Sequence, residues 1–340
     1  MQAALMKARA ELKNQGIHYA QGHGKHAQHR LAKISSEHPQ EKRLRSIQKL
    51  VSKHGNVLLA SEFFSELSEQ TILELKNRLG ESVSVEVIFS YRRLEKVVVS
   101  QYQQFVKTGY SQSLDEFADE IMTNTKDHHE ANLFWRRHSY SEITTRWAKI
   151  FGVSNVHIVV ADEKNPEVLI SWFTEFLGLP AETLLPRATR RMNRSLDTEE
   201  LAFVRALQVE LGEERMDREW KFIFRDTLIA KIASVPSENP GSQSLQLGGQ
   251  IQQHFVTLAD NEQTALTSSG VSIHGDFQAG ASVSSKVSVS EPTSIYIPTV
   301  VRAIASVKSG HYLSQASVGQ LLRELFGRVT RFLGRPFTKD

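Results

Sequence analysis

The pattern of hydrophobic and polar positions changes period once between residues 83 and 109, and this change marks the element around which the chain is organised. Hydrophobic residues alternate with polar ones from Val83 to Phe89, with Ile88 as a break, which is typical of a strand buried largely on both faces. From Leu94 onward, hydrophobic residues recur every three or four positions. The pattern therefore predicts a strand that runs through Tyr91-Arg92-Arg93 directly into an amphipathic helix.

Similar patterns predict the neighbouring elements. Short buried strands are expected at 56–62 and 155–163, and helices at 1–15, 70–79, 113–150, 166–177 and 251–266. The succession of strand, helix and strand between residues 57 and 89 predicts a parallel βαβ unit. The fold class expected from this order is α/β with a parallel sheet.

Local signals mark several helix ends. Gly16 follows the first helix in the position of a left-handed cap, and Ser61 precedes a helix start as an N-cap. Farther along, either Ser195 or Asp197 caps a helix, and Glu200 stands three residues after Asp197, where a reciprocal capping carboxylate is expected.

Composition narrows the class of protein. The chain has 340 residues, of which 40% are hydrophobic and 23% charged, as in soluble globular proteins. A net charge of +3 from 41 basic and 38 acidic residues is too balanced to indicate nucleic acid as a partner. There are no cysteines, which excludes disulfides and thiolate chemistry. With no long apolar run and no signal peptide in view, we expect a cytoplasmic protein.

The strand end supplies the first candidate site. Arg92 stands where the strand meets the helix, and Ser100 lies about two helical turns farther on. A guanidinium with a hydroxyl can hold a phosphate at the carboxyl end of a parallel strand. The alternative is that Arg92 and Arg93 pair with Glu86 or Glu95, and that Ser100 is an ordinary surface serine.

The segment Y-R-R-L-E-K-V-V-V-S-Q-Y-Q-Q-F-V-K resembles the 3′-phosphate-binding segment of bacterial sulfotransferases that use 3′-phosphoadenosine 5′-phosphosulfate (PAPS). The resemblance implies that Arg92 and Ser100 bind the 3′-phosphate of PAPS, and of its product, adenosine 3′,5′-bisphosphate (PAP). It also implies a three-layer, P-loop-like parallel sheet flanked by helices, and transfer of a sulfuryl group to a hydroxyl or amine, expected on a carbohydrate. No metal is expected in this reaction.

The start of the chain departs from the family pattern. M-Q-A-A-L-M-K-A-R-A-E-L-K resembles the helix that follows the family's K-[ST]-G-[ST]-T loop, but that loop and the central strand before it do not precede it here. We therefore expect a sheet with its first central strand missing. Two explanations stay open, a truncated or misassigned start and a degenerate form. The second makes the chain a non-catalytic nucleotide-binding, glycan-binding or adaptor protein.

Candidates for the catalytic base lie in two segments. His26 and His29 belong to a histidine-rich loop at the place where related sulfotransferases often carry their base, and a neutral imidazole can accept a proton near pH 7. Glu62 ends V-L-L-A-S-E, which resembles the family's "LLSSE" strand. Alternatively, the histidines are solvent-exposed or bind metal opportunistically, and Glu62 only complements a helix dipole.

A basic loop offers candidates for further nucleotide contacts. The resemblance gives Arg190 and Arg191 a place in a loop that closes over the 3′-phosphate, whereas the alternative is a solvated basic loop. We divide the chain into a sulfotransferase-like domain at 1–268, a flexible Ser/Gly/Val-rich linker at 269–316 and a basic amphipathic helix at 317–340. This helix is expected on a membrane surface, on a partner protein, or packed on its own domain.

Overall fold

The computed structural model describes residues 1–20, 32, 40–123, 129–162, 165, 167–185, 195–211, 228–234 and 245–280. Up to residue 108, the elements are α1 (Gln2–Lys7), α2 (Arg9–Asn14), β1 (His18–Tyr19), α3 (Gln40–His54), β2 (Val57–Leu58), α4 (Glu69–Leu79), β3 (Val87–Tyr91) and α5 (Leu94–Thr108). A 3-10 helix at Glu62–Glu66 lies between β2 and α4.

The remaining elements are α6 (Leu114–Thr123), α7 (His129–His138), α8 (Tyr140–Phe151), β4 (Val156–Val160), α9 (Glu167–Phe176), α10 (Thr198–Leu211), α11 (Ala230–Ser234), α12 (Gly249–Ser268) and β5 (Ser272–His274). Short 3-10 helices stand at Val153–Asn155 and Phe277–Gly280. The mixed α/β class predicted from the sequence is confirmed, with helix predominating over strand.

The strands form two parallel sheets. β1 pairs with β2, while β3, β4 and β5 form a second sheet in that order. Val87 is opposite Val156 and Tyr91 is opposite Val160, and β5 adds to the other side of β4, with Val159 opposite His274. Because parallel neighbours need long crossover connections, each pairing joins segments that are distant in the chain.

Two details of the predicted strands are corrected. The central strand begins at Val87 and not at Val83, because the Val83 backbone N–H donates to the Gly80 carbonyl in a turn, at 3.3 Å. Within the described residues, β2 pairs with β1 and β3 pairs with β4, so the elements between 57 and 91 do not form a directly paired βαβ unit.

The predicted helix signals are largely confirmed. The Ser61 hydroxyl accepts a hydrogen bond from the Phe63 N–H at 3.3 Å, and Gly16 has a positive φ of 73°. Asp197, rather than Ser195, is the residue whose side chain caps α10. Its carboxylate accepts from the Glu200 N–H at 2.8 Å, and Glu200 accepts in return from the Asp197 N–H at 3.1 Å.

The prediction of a flexible linker from residue 269 is wrong for residues 272–280. Ser272–His274 forms β5, and Phe277 is buried at the start of a 3-10 helix. Gly275 allows the chain to pass against β4, because a Cβ at this position would lie 3.2 Å from the Cβ of Val160. Residues 281–316 of the predicted linker and the helix predicted at 317–340 lie outside the described residues.

The chain divides into two compact units. The first comprises the described residues of Met1–Leu94, Ala131–Arg190 and Phe255–Val283, and thus contains both sheets. Part of its core is a cluster in which α1 and α2 pack against β1 and the segment after α9, formed by Ala4, Leu5, Ala8, Leu12, Tyr19, Leu179 and Leu184. Burial of this apolar stripe explains why an alanine-rich segment is helical here.

The second unit comprises the described residues of Glu95–Glu130 and Arg191–His254. Its core contains the fully buried rings of Tyr102 and Phe117, whose centroids are 5.6 Å apart. The side chain of Gln103 accepts from the Leu196 N–H at 2.9 Å and donates to the Leu196 carbonyl at 3.3 Å. These bonds attach the segment before α10 to the central part of α5.

The close approach of β5 to β4 can be tested at Gly275. We expect Gly275→Ala to lower the free energy of unfolding by at least about 1 kcal/mol more than Gly80→Ala, measured by urea denaturation. Both glycines have positive φ, 100° and 83°, but a Cβ at Gly80 meets nothing within 4 Å. Equal losses in the two variants would show that the contact with Val160 relaxes without cost.

Candidate functional site

The carboxyl ends of β3, β4 and β5 lie at one edge of the larger sheet, because these strands are parallel. Arg92 follows β3, Asp162 stands two residues after β4, and Asp276 stands two residues after β5. The Ala161 N–H donates to the Tyr91 carbonyl at 2.9 Å, which extends the β3–β4 pairing to the last strand residue. Open α/β sheets bind their ligands at this edge.

Tyr91 anchors this edge in the core. Its side chain is fully buried, and its ring packs against Tyr140 and Phe277, with centroids 4.8 and 4.9 Å away. The Tyr91 hydroxyl donates to the Ala259 carbonyl of α12 at 3.3 Å. The end of β3 is therefore held by aromatic packing and by a bond to a helix 168 residues farther along the chain.

The two consecutive arginines have different surroundings. Arg93 is buried, and its guanidinium forms an ion pair with Asp260 of α12 at 3.0 Å. Arg92 is half-buried, and its backbone N–H donates to the hydroxyl oxygen of Tyr140. The backbone from which the Arg92 side chain projects is thus fixed by a buried partner. The alternative in which Glu86 pairs with an arginine is not seen, since Glu86 contacts His157.

Tyr140 is itself deeply buried at the start of α8. Burial raises the pKa of its phenol to about 12, although the Arg92 N–H and the positive charge of Arg92 act in the opposite direction. Tyr140 is consequently neutral throughout the physiological range. Its role at this edge is that of a fixed hydrogen-bonding partner.

Glu262 of α12 caps the amino terminus of α8. Its carboxylate accepts from the Ser141 N–H at 2.7 Å and from the Ser141 hydroxyl at 2.9 Å, and the Tyr140 N–H also donates to it. These bonds favour the ionised carboxylate, yet burial outweighs them and raises its pKa above the ordinary value. The same helix α12 therefore holds both the end of β3 and the start of α8.

The structure describes three of the residues predicted for the site. Arg92 belongs to the first unit, while Ser100 is half-buried on α5 in the second unit. Glu62 is exposed as the first residue of the 3-10 helix after β2, and Gln2 approaches its carboxylate at 3.4 Å. His26, His29, Arg190 and Arg191 lie outside the described residues, so their assigned roles stay predictions.

Tyr140 and Glu262 were not singled out from the sequence, because each looks like an ordinary helical residue. His138 has both ring nitrogens buried without a hydrogen-bond partner in the described structure, and burial lowers its pKa to about 3. His157 and His274 contact one another across β4 and β5, although they are 117 residues apart. His157 lies within a predicted strand, whereas His274 lies in the segment predicted as a linker, so no sequence pattern indicated this contact.

A shallow surface depression of about 410 Å³ is lined by residues of one helix, α8, namely Ser141, Glu142, Thr145 and Arg146. Burial lowers the pKa of the Arg146 guanidinium, and one of its amino groups donates to the Ser65 carbonyl at 3.1 Å. Of the predicted site residues that the structure describes, Glu62, Arg92 and Ser100, none lines this depression.

Comparison of the chain with family models, with curated proteins and with solved structures finds no match. Among the helices in the described ranges, none combines the length and the apolar character needed to cross a membrane. In the same ranges, no three His, Cys, Asp or Glu side chains are grouped so that they could hold a metal ion.

The cap made by Glu262 predicts a dependence of stability on pH. Burial raises the pKa of Glu262 in the folded state above its pKa in the unfolded chain. Its contribution to the free energy of unfolding is therefore fully present below the unfolded-state pKa and is lost as the pH rises through the folded-state pKa. The unfolding free energy of wild type minus that of Glu262→Gln should therefore decrease as the pH rises above about 4.3. Urea denaturation from pH 4 to 7 measures it.

The exposed residue Glu175 on α9 provides a control. Glu175→Gln should give a much smaller change of the same difference with pH. A Glu262→Gln difference that grows with rising pH would show that the hydrogen bonds from Ser141, and not burial, dominate the ionisation of Glu262.

Proposed function

We propose that this chain is a sulfotransferase-like protein with a P-loop-like fold, which acts in the cytoplasm on PAPS and a carbohydrate hydroxyl or amine. The observation that carries the proposal is the position of Arg92. It directly follows the last residue of a parallel strand, and its backbone is held by a buried tyrosine. A guanidinium carried by an anchored backbone at a strand's carboxyl end is suited to bind an anionic nucleotide.

The surroundings support assigning the anion to Arg92 rather than to Arg93. Arg93 is engaged by Asp260 and is 6% exposed at its side chain, so its charge serves an internal contact. Ser100 follows eight positions later on α5, and the resemblance gives it the same phosphate. Arg190 and Arg191 remain proposed as additional nucleotide contacts.

In the proposed reaction, the acceptor oxygen or nitrogen forms a bond to sulfur while the bond between sulfur and the bridging oxygen of PAPS breaks, which releases PAP. His26, His29 or Glu62 takes the proton that the acceptor loses. Arg92 acts by positioning the nucleotide, since in-line transfer depends mainly on orientation and on stabilising negative charge.

Titration with PAP tests the phosphate contact. Arg92→Ala should weaken PAP binding at least about tenfold, because a charge-assisted hydrogen bond contributes about 1.5–3 kcal/mol. Ser100→Ala should weaken it by a smaller factor, as expected for a neutral hydroxyl. Isothermal titration calorimetry at fixed ionic strength measures both changes.

Arg45→Ala is the matched control, because it removes an exposed guanidinium that is paired within α3 and changes the net charge equally. It should leave PAP affinity unchanged. Equal PAP affinity in wild type and Arg92→Ala would eliminate the phosphate assignment. PAP binding without sulfuryl transfer from PAPS would instead favour the non-catalytic nucleotide-binding role.

The base is tested separately from nucleotide binding. We expect one of three variants to remove the base: His26→Ala, His29→Ala or Glu62→Gln. That variant should lower single-turnover transfer from PAPS by about 10²–10⁴-fold and leave PAP affinity unchanged. A wild-type rate that rises through about pH 6.5 identifies an imidazole as the base. Full transfer activity in all three variants would refute this set of candidates.

A further inference from the structure

Three side chains from separate segments meet across the amino-terminal half of β4. The Nε2 atom of His157 lies 2.9 Å from a carboxylate oxygen of Glu86, which immediately precedes β3. The Nδ1 atom of His157 lies 3.2 Å from Nε2 of His274 on β5. His157 is aligned with Ile88, three residues before the end of β3, so this cluster is separate from the strand end that carries Arg92.

The carboxylate determines which ring nitrogen of His157 is available. Glu86 can only accept when it is ionised, so a neutral His157 carries its proton on Nε2 and donates it to Glu86. The lone pair of His157 is then on Nδ1, the atom that faces His274. In metal sites, a carboxylate commonly accepts a hydrogen bond from the histidine nitrogen that does not bind the metal. This bond orients the ring, fixes its tautomer and makes the histidine a more basic ligand.

The separation of the two facing nitrogens matches that of two metal ligands. Two imidazole nitrogens at the usual zinc distance of about 2.0–2.1 Å and a tetrahedral angle are about 3.3–3.4 Å apart. The observed separation is 3.2 Å. When the proton of His274 is on Nε2, this nitrogen donates a hydrogen bond to Nδ1 of His157. When that proton is on Nδ1 of His274 instead, both facing nitrogens carry lone pairs that one metal ion can share.

Aromatic packing holds both rings in place. Trp172 of α9 packs on His274 with ring centroids 4.7 Å apart, and Phe176 packs edge-on against His157 at 5.4 Å. The His157 side chain is 13% exposed and Glu86 is 43% exposed, so solvent reaches the edge of the cluster. Rings that are fixed by packing lose little freedom when they bind an ion, which favours binding.

We propose that His157 and His274 bind a divalent transition-metal ion of the zinc type, with Glu86 as the carboxylate that orients His157. Imidazole is a preferred ligand for zinc, copper and nickel. No third His, Cys, Asp or Glu of the described residues completes the ligand set. Water or an external ligand therefore occupies the other positions, and the affinity is lower than at a structural site with four protein ligands. The site is independent of the sulfuryl transfer proposed above, which uses no metal.

The first unit contains a second histidine pair that serves as an internal control. His18 and His54 are stacked, with parallel rings whose centroids are 3.6 Å apart. Their nitrogen lone pairs lie in parallel planes and do not converge on one point. This pair is therefore unsuited to hold one ion, although its ring centroids are closer than those of His157 and His274, which are 5.5 Å apart.

The test is titration of the full-length chain with Zn²⁺ by calorimetry, in a background where His23, His26 and His29 are replaced by Ala so that the histidine-rich loop does not contribute. We expect one ion per chain. His157→Ala and His274→Gln should each weaken Zn²⁺ binding at least about tenfold, since each removes one of two ligands. Glu86→Gln should weaken it by about 10–100-fold. His54→Ala should leave it unchanged.

Electron paramagnetic resonance with Cu²⁺ gives a readout that a merely structural role would not change. The spectrum of the background protein should show two coordinating nitrogens, and that of His274→Gln should show one, with circular dichroism confirming that each variant is folded. Absence of Zn²⁺ binding in the background protein would overturn the proposal and leave a hydrogen-bonded pair only. Equal weakening by His54→Ala and His274→Gln would overturn it as well.

Discussion

One turn of helix α12 determines the geometry of the sheet edge. Within Ala259–Glu262, a carbonyl accepts the hydroxyl proton of Tyr91, Asp260 pairs with Arg93, and Glu262 caps the start of α8. These contacts lie within four consecutive residues, so the end of β3 and the start of α8 are held by one rigid element. Arg92 lies beside both and takes its backbone position from them, which is the kind of pre-organisation that a binding residue requires.

Burial, and not charge attraction, dominates the energetics of this turn. The Arg93 side chain is 6% exposed while Asp260 is 56% exposed, so the guanidinium carries most of the desolvation cost and the ion pair adds little net stability. The same balance applies to Glu262, where burial raises the pKa despite three donors and the positive end of a helix dipole. These polar contacts therefore specify which segments meet, while apolar packing around Tyr91 and Tyr140 supplies the stability.

Local sequence signals predicted local structure well. Hydrophobic periodicity located α4, α12 and β4 to within a few residues, and cap chemistry identified Ser61 and the pair of Asp197 and Glu200. Strand β5 was missed because Ser272–His274 is three residues long and is too short for an alternating pattern to be recognised. Its position depends on contacts with β4, which lies more than 100 residues earlier in the chain.

The site could be predicted only where its residues follow from one element. Arg92 could be proposed from the sequence because it continues a strand pattern into a helix. The partners that define its surroundings are not local, since Asp260 is 167 residues from Arg93 and Glu262 is 121 residues from Ser141. A charged residue on an amphipathic helix has many compatible roles, and its own sequence context does not distinguish a cap from a solvent-exposed side chain.

Tyr91 and the two arginines that follow it are attached to different parts of the first unit. Tyr91 and Arg93 both contact α12, through a hydrogen bond to the Ala259 carbonyl and an ion pair with Asp260. The backbone N–H of Arg92 contacts Tyr140, and that bond is kept by any residue except proline. Loss of the Arg92 guanidinium therefore leaves these three contacts in place. In a variant whose folding is unchanged, a loss of ligand affinity reports on recognition of an anion by this guanidinium.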